Sequence, residues 1–447
     1  MKTLINKVSF LVVFLLLLPV FIFASDYSSA QSIIPSIMGI RLEFIIFALT
    51  LVGVALFHHK TMYVALTGLV AILAFKFVFD GEFNIVSHII GDGENEGEWR
   101  TLVNLLGLLF GFAILAKHFE ESKFPKILPR FLPKGWKGAF VLLIAITILS
   151  SFLDNIAAAM IGGTIAYVVF RGKVHIGYLA AIVAASNAGG AGSVVGDTTT
   201  TLMWIDGVNP LDVTHAFIGS VVALFIFGIW GAKQQDKYQT IVMGHIENVK
   251  VDFGRIFIVF LILVFAILTN WLLDFPAVGV WIGILLGATF RKTPWEEIKN
   301  SLQGTVFLMS LVTIASVMPV NELPPASMWS AFSLGFISAV FDNIPLTKLC
   351  LEQGGYDWGI LAYSVGFGGS MIWFGSSAGV ALSNMYPEAK NTVKYISNGW
   401  HVTLAYIVSF FVMISLVGWH PHAPHKKEHK EQTEQVETIN PEQNIIK

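Results

Sequence analysis

The sequence predicts an all-α polytopic membrane protein made of two inverted repeats, each holding a re-entrant hairpin and a discontinuous helix. Three observations lead there: a composition too apolar for a soluble domain, loops whose charge alternates along the chain, and an Asp-Asn pair that occurs twice with the same glycine pattern after it.

Of 447 residues, 55% are hydrophobic and 13% charged, with a formal net charge of −2; the mean hydropathy is +0.69. Soluble domains carry about 25% charged residues, so the lipid bilayer is the expected surrounding. Apolar stretches recur from residue 34 to residue 419, and a helix needs roughly 20 residues to span. The stretches lack the alternation of membrane-barrel strands, which leaves helices. A multi-pass protein of the cell (inner or plasma) membrane is therefore expected. No basic patch with interleaved aromatics is present, so nucleic acid is not an expected partner. Cys350 is the single cysteine, which excludes an internal disulfide.

The chain begins with Lys2, Lys7, the apolar run 8–23 and Ala24-Ser25-Asp26. Residues 1–24 thus form a signal-like segment, either cleaved or kept as a first helix. Loop charge then sets topology. Loop 116–137 holds Lys117, Lys123, Lys126, Arg130, Lys134 and Lys137 against Glu120 and Glu121, which makes it cytoplasmic. Loop 80–100 holds Asp80, Glu82, Asp92, Glu94, Glu96 and Glu98 against Arg100, which makes it external. The run 102–116 between them is one crossing, and His58-His59-Lys60 falls inside. Lys76, near the end of the run 64–79, is expected to snorkel outward.

Two apolar legs follow, 138–152 and 156–170, each too short to span, with Asp154-Asn155 between them and positive charge on both flanks. That is a re-entrant hairpin rather than two spans. The next helix, 176–186, is expected to unwind at Asn187-Ala188-Gly189-Gly190-Ala191-Gly192, before Asp197-Thr198-Thr199-Thr200-Thr201. Residues 208–212 are external, 217–230 returns, and Lys233, Lys237, Lys250 and Arg255 mark an inside loop. Runs 259–273, 278–290 and 306–320 cross in turn, with Arg291, Lys292 and Lys299 inside. The pattern then repeats: 332–341, Asp342-Asn343, 344–350, then 360–367, Gly368-Gly369-Ser370, 371–374 and Gly375-Ser376-Ser377. Lys390 and Lys394 lie inside, and 400–417 is the last span.

Loop charge places the base of the first hairpin inside and that of the second outside, so the halves are inverted. The organisation is then 25–250 for repeat 1, 251–419 for repeat 2 and 420–447 for a polar disordered tail. Inverted repeats with discontinuous helices meeting near the midplane imply a secondary transporter working by alternating access. The two halves align on Phe152-Leu153-Asp154-Asn155-Ile156 with Val340-Phe341-Asp342-Asn343-Ile344. They align again on Gly189-Gly190 and Gly196-Asp197-Thr198 with Gly368-Gly369 and Gly375-Ser376-Ser377.

A hairpin tip and an unwound helix leave amides and carbonyls without intrahelical partners, tolerated at membrane depth only around a cavity or a ligand. Hard cations such as sodium take oxygen ligands, and helix N-termini favour anionic groups. The candidate ion- or substrate-binding set is Asp154, Asn155, Asn187, Gly190, Gly196, Asp197, Thr198, Thr199, Asp342, Asn343, Gly369, Ser370, Gly375, Ser376 and Ser377, with sodium expected at Asp154, Asn155, Asp197, Asp342 and Asn343. A carboxylate at membrane depth costs roughly 2.5–3.5 kcal/mol unless a proton or cation accompanies it. Sodium, protons or both are thus the coupling ions, with no other cofactor expected.

Simpler readings stand beside these. Asp154 and Asp342 could be loop acids at the membrane surface, Asp197 could act as a helix N-cap alone, and the Gly-Gly steps could serve close helix packing. His420, His422, His425 and His429 could bind metal but read as a solvated tail. No His-Glu-x-x-His or nucleophile–base set suggests an enzyme.

Ser151–Ala159 as Ser-Phe-Leu-Asp-Asn-Ile-Ala-Ala-Ala, and the stretch Asn187-Ala-Gly-Gly-Ala-Gly-Ser-Val-Val-Gly-Asp-Thr-Thr-Thr200, resemble the ion-transporter superfamily of citrate-transporter-like proteins, arsenite pumps and NhaD-type antiporters. The likeness covers most of residues 40–418. Dicarboxylate carriers of that superfamily have Ser-Asn-Thr tips; Asp154-Asn155-Ile156 and Asp342-Asn343-Ile344 are more similar to the NhaD type. The resemblance implies sodium/proton antiport, with cation sites at Asp154/Asn155 with Gly196/Asp197 and at Asp342/Asn343 with Gly375/Ser376. Ser376 stands where the first half has Asp197, so the second site has one carboxylate fewer. The alternative is a cation-coupled citrate or dicarboxylate carrier of the same fold. A small inorganic cation or small organic anion is the substrate class, and a homodimer is an allowed assembly.

Overall fold

The structure, a computed structural model, describes residues 35–57, 60–81, 83–92, 97–242 and 249–423. The signal-like segment, His58, His59 and tail residues 424–447 lie outside the described residues. The protein is an all-α polytopic membrane protein. Among the described residues there are 19 α-helices and one two-stranded ribbon at Ser36–Ile37 and Ile40–Arg41. Five helical stretches are long and apolar enough to cross a membrane: Thr61–Phe79, Trp99–Glu121, Pro210–Tyr238, Phe253–Leu273 and Trp400–Val417.

One group comprises α1 (Leu42–Leu56), α2 (Thr61–Phe79), α3 (Ile85–Ile90) and α4 (Trp99–Glu121), with the later helices α11 (Phe253–Leu273), α12 (Pro276–Gly287) and α13 (Glu296–Ser316). Helix α13 bridges α2 and α4, and α12 packs between α11 and α4. Leu42, Ile46, Ile72, Phe75, Leu311 and Ile314 are fully buried where α1, α2 and α13 meet. Here Lys76 departs from expectation: it does not snorkel. Its Nζ lies 2.8 Å from Glu43 Oε1 and 3.1 Å from Asp80 Oδ2. A buried carboxylate one helix away holds the ammonium better than the interface could, since an unpaired buried charge is far costlier than a paired one.

The other group contains the segments read from sequence as hairpins and interrupted helices. Helices α5 (Trp136–Ser150) and α6 (Asn155–Val169) are the two legs read as the first hairpin, and they pack on each other. Helices α7 (Ile176–Ala191) and α8 (Thr198–Ile205) are the two parts of one broken helix, followed by α9 (Pro210–Thr214) and α10 (Ala216–Tyr238). In the second half, α14 (Met328–Ser338) and α15 (Asn343–Gln353) form the hairpin, and α16 (Trp358–Gly368) and α17 (Ser377–Met385) the broken helix. Then come α18 (Thr392–Asn398) and α19 (Trp400–Val417). Every residue from Gly177 to Ala191 in α7 and from Trp358 to Gly368 in α16 is buried. A helix buried all round is a core element, and α7 packs on α5, α6, α10 and α16.

Both halves use the same local joints. Ser150 Oγ donates to Ser186 O at 2.5 Å, and Ser338 Oγ donates to Val365 O at 2.6 Å. The hairpins also reach across: α6 packs on α17, and α15 packs on α8.

The helix break falls later than expected. Helix α7 continues through Gly189 and Gly190 to Ala191, and the interruption is 192–197. With no water competing for backbone groups, glycine does not melt a buried helix; it lets backbones approach. A Cβ on Gly189 would strike Thr147 O, and one on Gly190 would strike Gly196 O. Residues 420–423 dock rather than hang free: His422 N donates to Tyr356 O at 2.9 Å, and the His422 ring stacks on Trp358.

Candidate functional site

Four polar residues start the four helices that leave the tips and breaks. Asp154 Oδ2 accepts from Ile156 N at 3.2 Å, and Asp342 Oδ1 from Ile344 N at 3.0 Å. Asp197 Oδ1 accepts from Thr199 N at 3.4 Å, and Ser376 Oγ from Gly379 N at 3.2 Å. Each is thus an N-cap, and the helix N-termini favour negative charge there.

Capping is not the whole role of Asp197. Asn155 Nδ2 donates to Asp197 Oδ1 at 3.2 Å and to Asn187 Oδ1 at 3.2 Å. Asn187 Nδ2 in turn donates to Ser370 Oγ at 2.9 Å and Ser376 Oγ at 3.1 Å. One buried network therefore runs from the first hairpin tip through both broken helices. Both donors of each amide are used, which fixes the two side chains in place.

Asp197 is 2% exposed; its Oδ2 makes no hydrogen bond of good geometry among the described residues, and the Thr199 hydroxyl is the side-chain donor beside that carboxylate. A buried carboxylate oxygen without a partner is costly. A small hard cation or a proton fits such an oxygen. Asp197 Oδ2 faces Gly366, where a Cβ would sit 3.1 Å away.

The glycines of the candidate set make the breaks compact. Gly190 lies on Gly196 O and Asp197 Cβ; Gly196 lies on Ser150 O. Gly369 lies on Gly375 O and Ser376 Cβ, and Gly375 on Ala339 O. Backbone meets backbone at both places, a spacing only glycine permits.

The second half is not a copy of the first. Asn343 is buried but has no side-chain bond among the described residues, and Asp342 bonds only to its own helix. The glycine alignment explains why: Gly366 stands at the position of Asn187, and Ser376 at that of Asp197. Asn187 serves both halves instead. Thr198 and Ser377 begin α8 and α17 beside the network without joining it.

A cavity of about 720 Å³ reaches Asp154. Ile156, Ala157, Met160 and Thr164 line it along α6, and Lys117 and Arg171 belong to the segments read as cytoplasmic.

Sequence reading missed Lys348, which lies on α15 with its side chain wholly buried. Its signal was a lone lysine within a run treated as apolar.

No protein-family model matches the chain. Curated relatives do match, three of them as follows. Sodium/proton antiporter 1 of Arabidopsis thaliana is 27% identical over 329 residues, 64% of this chain and 55% of that protein. The Na(+)/H(+) antiporter NhaD of Halomonas elongata is 23% identical over 73% of this chain and 78% of its own length. NhaD of Vibrio cholerae is 23% identical over 63% of this chain and 69% of its own length. The chain thus spans little more than half of the Arabidopsis relative.

Proposed function

We propose that this chain, a relative of the sodium/proton antiporters of the NhaD type within the ion-transporter superfamily, exchanges sodium for protons across the membrane. The observation that carries the reading is the unpartnered Asp197 Oδ2 at the junction of both broken helices. A sodium ion and protons can alternately satisfy that oxygen, whereas a fixed hydrogen bond would exclude both. Asp154 lines the cavity, together with Glu120 and Glu297, and is the candidate-site carboxylate that a cation from the cytoplasm reaches there. Asp342, Asn343, Ser370 and Ser376 complete the site from the second half. The paired hairpins and broken helices support two repeats of opposite orientation, rocking about this site to expose it to each side in turn.

The competing citrate or dicarboxylate carrier needs anion recognition, and the side chains gathered at the network are carboxylate, amide and hydroxyl. Purified protein in liposomes with an internal pH dye decides between them. Sodium added to vesicles that are acid inside should drive alkalinisation with no organic anion present. A response only in the presence of citrate or another dicarboxylate would overturn the antiport reading.

A further inference from the structure

Lys348 Nζ lies 2.6 Å from Glu352 Oε1, 3.0 Å from Asp206 Oδ1 and 3.1 Å from Glu98 Oε2. The lysine side chain is 0% exposed, and those of Glu98 and Asp206 are 4% exposed each. Glu352 is on the lysine's own helix, one turn on. The other two are not: Glu98 stands at the start of α4, and Asp206 at the end of α8.

The placement of these partners matters more than their number. Helices α8 and α15 each carry a candidate site residue at the N-terminal end, Asp197 and Asp342. Their distal parts are joined through Lys348 and Asp206. Glu98 then ties that pair to α4, which packs with α11, α12 and α13 in the other group of helices. Glu98 belongs to the acidic loop read as external, and residue 208, just past Asp206, to the next external one. The cavity that reaches Asp154 is lined by Lys117 and Arg171, from the opposite, cytoplasmic side.

We propose that Lys348 is an external latch, a positioning residue that holds α15 and α8 against α4 while the site faces the cytoplasm. Exposure of the site to the outside requires the Glu98 contact to part, because it crosses between the two groups of helices; the Asp206 contact, within one group, ties α8 to the same lysine. Losing either contact shifts the population toward the outward-facing state. The proposal rests on the antiport reading for its functional meaning, though not for its geometry.

Cys350, the single cysteine, is buried on α15 two residues past Lys348. It reports latch opening without an engineered probe. In Glu98→Gln and Asp206→Asn, each of which leaves Lys348 with two carboxylates, labelling of Cys350 by a membrane-impermeant maleimide from outside should accelerate about fivefold. The apparent external KM for sodium should fall by a similar factor, because a larger fraction of the protein is competent to bind from that side. Lys348→Arg should stay near wild type in both.

Unchanged labelling in Glu98→Gln and Asp206→Asn would overturn the latch. So would faster labelling without a lower external KM, which marks mere loosening. A wild-type protein with no sodium/proton exchange would remove the antiport reading, while the labelling ratios among the variants would still decide the latch.

Discussion

Asn187 Nδ2 donates to Ser376 Oγ at 3.1 Å, a bond that joins the two halves of the chain at the breaks in their helices. The same amide holds Ser370 and accepts from Asn155. Asn187→Ala should therefore uncouple the halves rather than remove a ligand alone. Three buried bonds are lost, each worth about 0.5–1.5 kcal/mol, so the protein should lose roughly 2–3 kcal/mol of stability. Sodium-driven proton flux in liposomes should drop at least tenfold. Normal flux from a folded Asn187→Ala protein would remove the bridge from the mechanism.

Asp197→Asn should move stability and function in opposite directions. The carboxylate has one oxygen without a partner at 2% exposure, so replacing it with a neutral amide removes an uncompensated buried charge. The melting temperature in sodium-free buffer should hold or rise. The further rise that sodium gives the wild type, expected because a ligand stabilises the state it binds, should vanish along with transport. A variant still stabilised by sodium would place the ion elsewhere.

Much of this site could be read from sequence, and the reasons are specific. Asp154-Asn155 and Asp342-Asn343 stood out because the flanking legs are too short to span, a constraint set by bilayer thickness. The end of α7 was misjudged because Gly189 and Gly190 were read by their conformational freedom, whereas burial and close packing decide their state. Lys348 escaped and Lys76 was misread as snorkelling because the partners that hold them across helices are remote in sequence: Asp206 and Glu98 for one, Glu43 for the other. A lone lysine in an apolar run gives no local sign that a carboxylate on another helix awaits it.

Asp154→Asn and Asp342→Asn test the carboxylates without removing the caps, because asparagine caps a helix about as well as aspartate. The starts of α6 and α15 should persist, and each variant should keep its helical content. Each should nonetheless abolish sodium-coupled proton movement. Circular dichroism and vesicle flux together check this, and normal exchange in both variants would leave the hairpin carboxylates without a transport role.

Glycine substitutions should separate close packing from helix propensity. A Cβ on Gly190 meets Gly196 O and Asp197 Cβ, neither of which is a flexible side-chain end. Gly190→Ala should cost about 1–3 kcal/mol through overpacking and should disturb sodium binding as well. Gly304, within α13, has nothing within 4 Å of where a methyl group would stand, so Gly304→Ala should stabilise by up to about 1 kcal/mol from propensity alone. Thermal melts of the two variants in one detergent check the contrast; equal effects would mean that the break does not depend on backbone contact.

Lys76 and Glu43 form the pair that holds α2 to α1, with the Glu43 side chain 0% exposed and Arg41 on its other oxygen. Lys76→Met leaves Glu43 with Arg41 as its remaining ion-pair partner at that depth and should destabilise by about 3–5 kcal/mol, as removal of one member of a buried pair does. Glu43→Gln made together with Lys76→Met should recover part of that loss, because the residual penalty belongs to the stranded carboxylate. The double-mutant cycle then reports a coupling energy of about 0.5–3 kcal/mol, the range for residues in contact. Additive losses would mean that Lys76 finds another partner once Glu43 is neutral, with Asp80 at 3.1 Å as the nearest candidate.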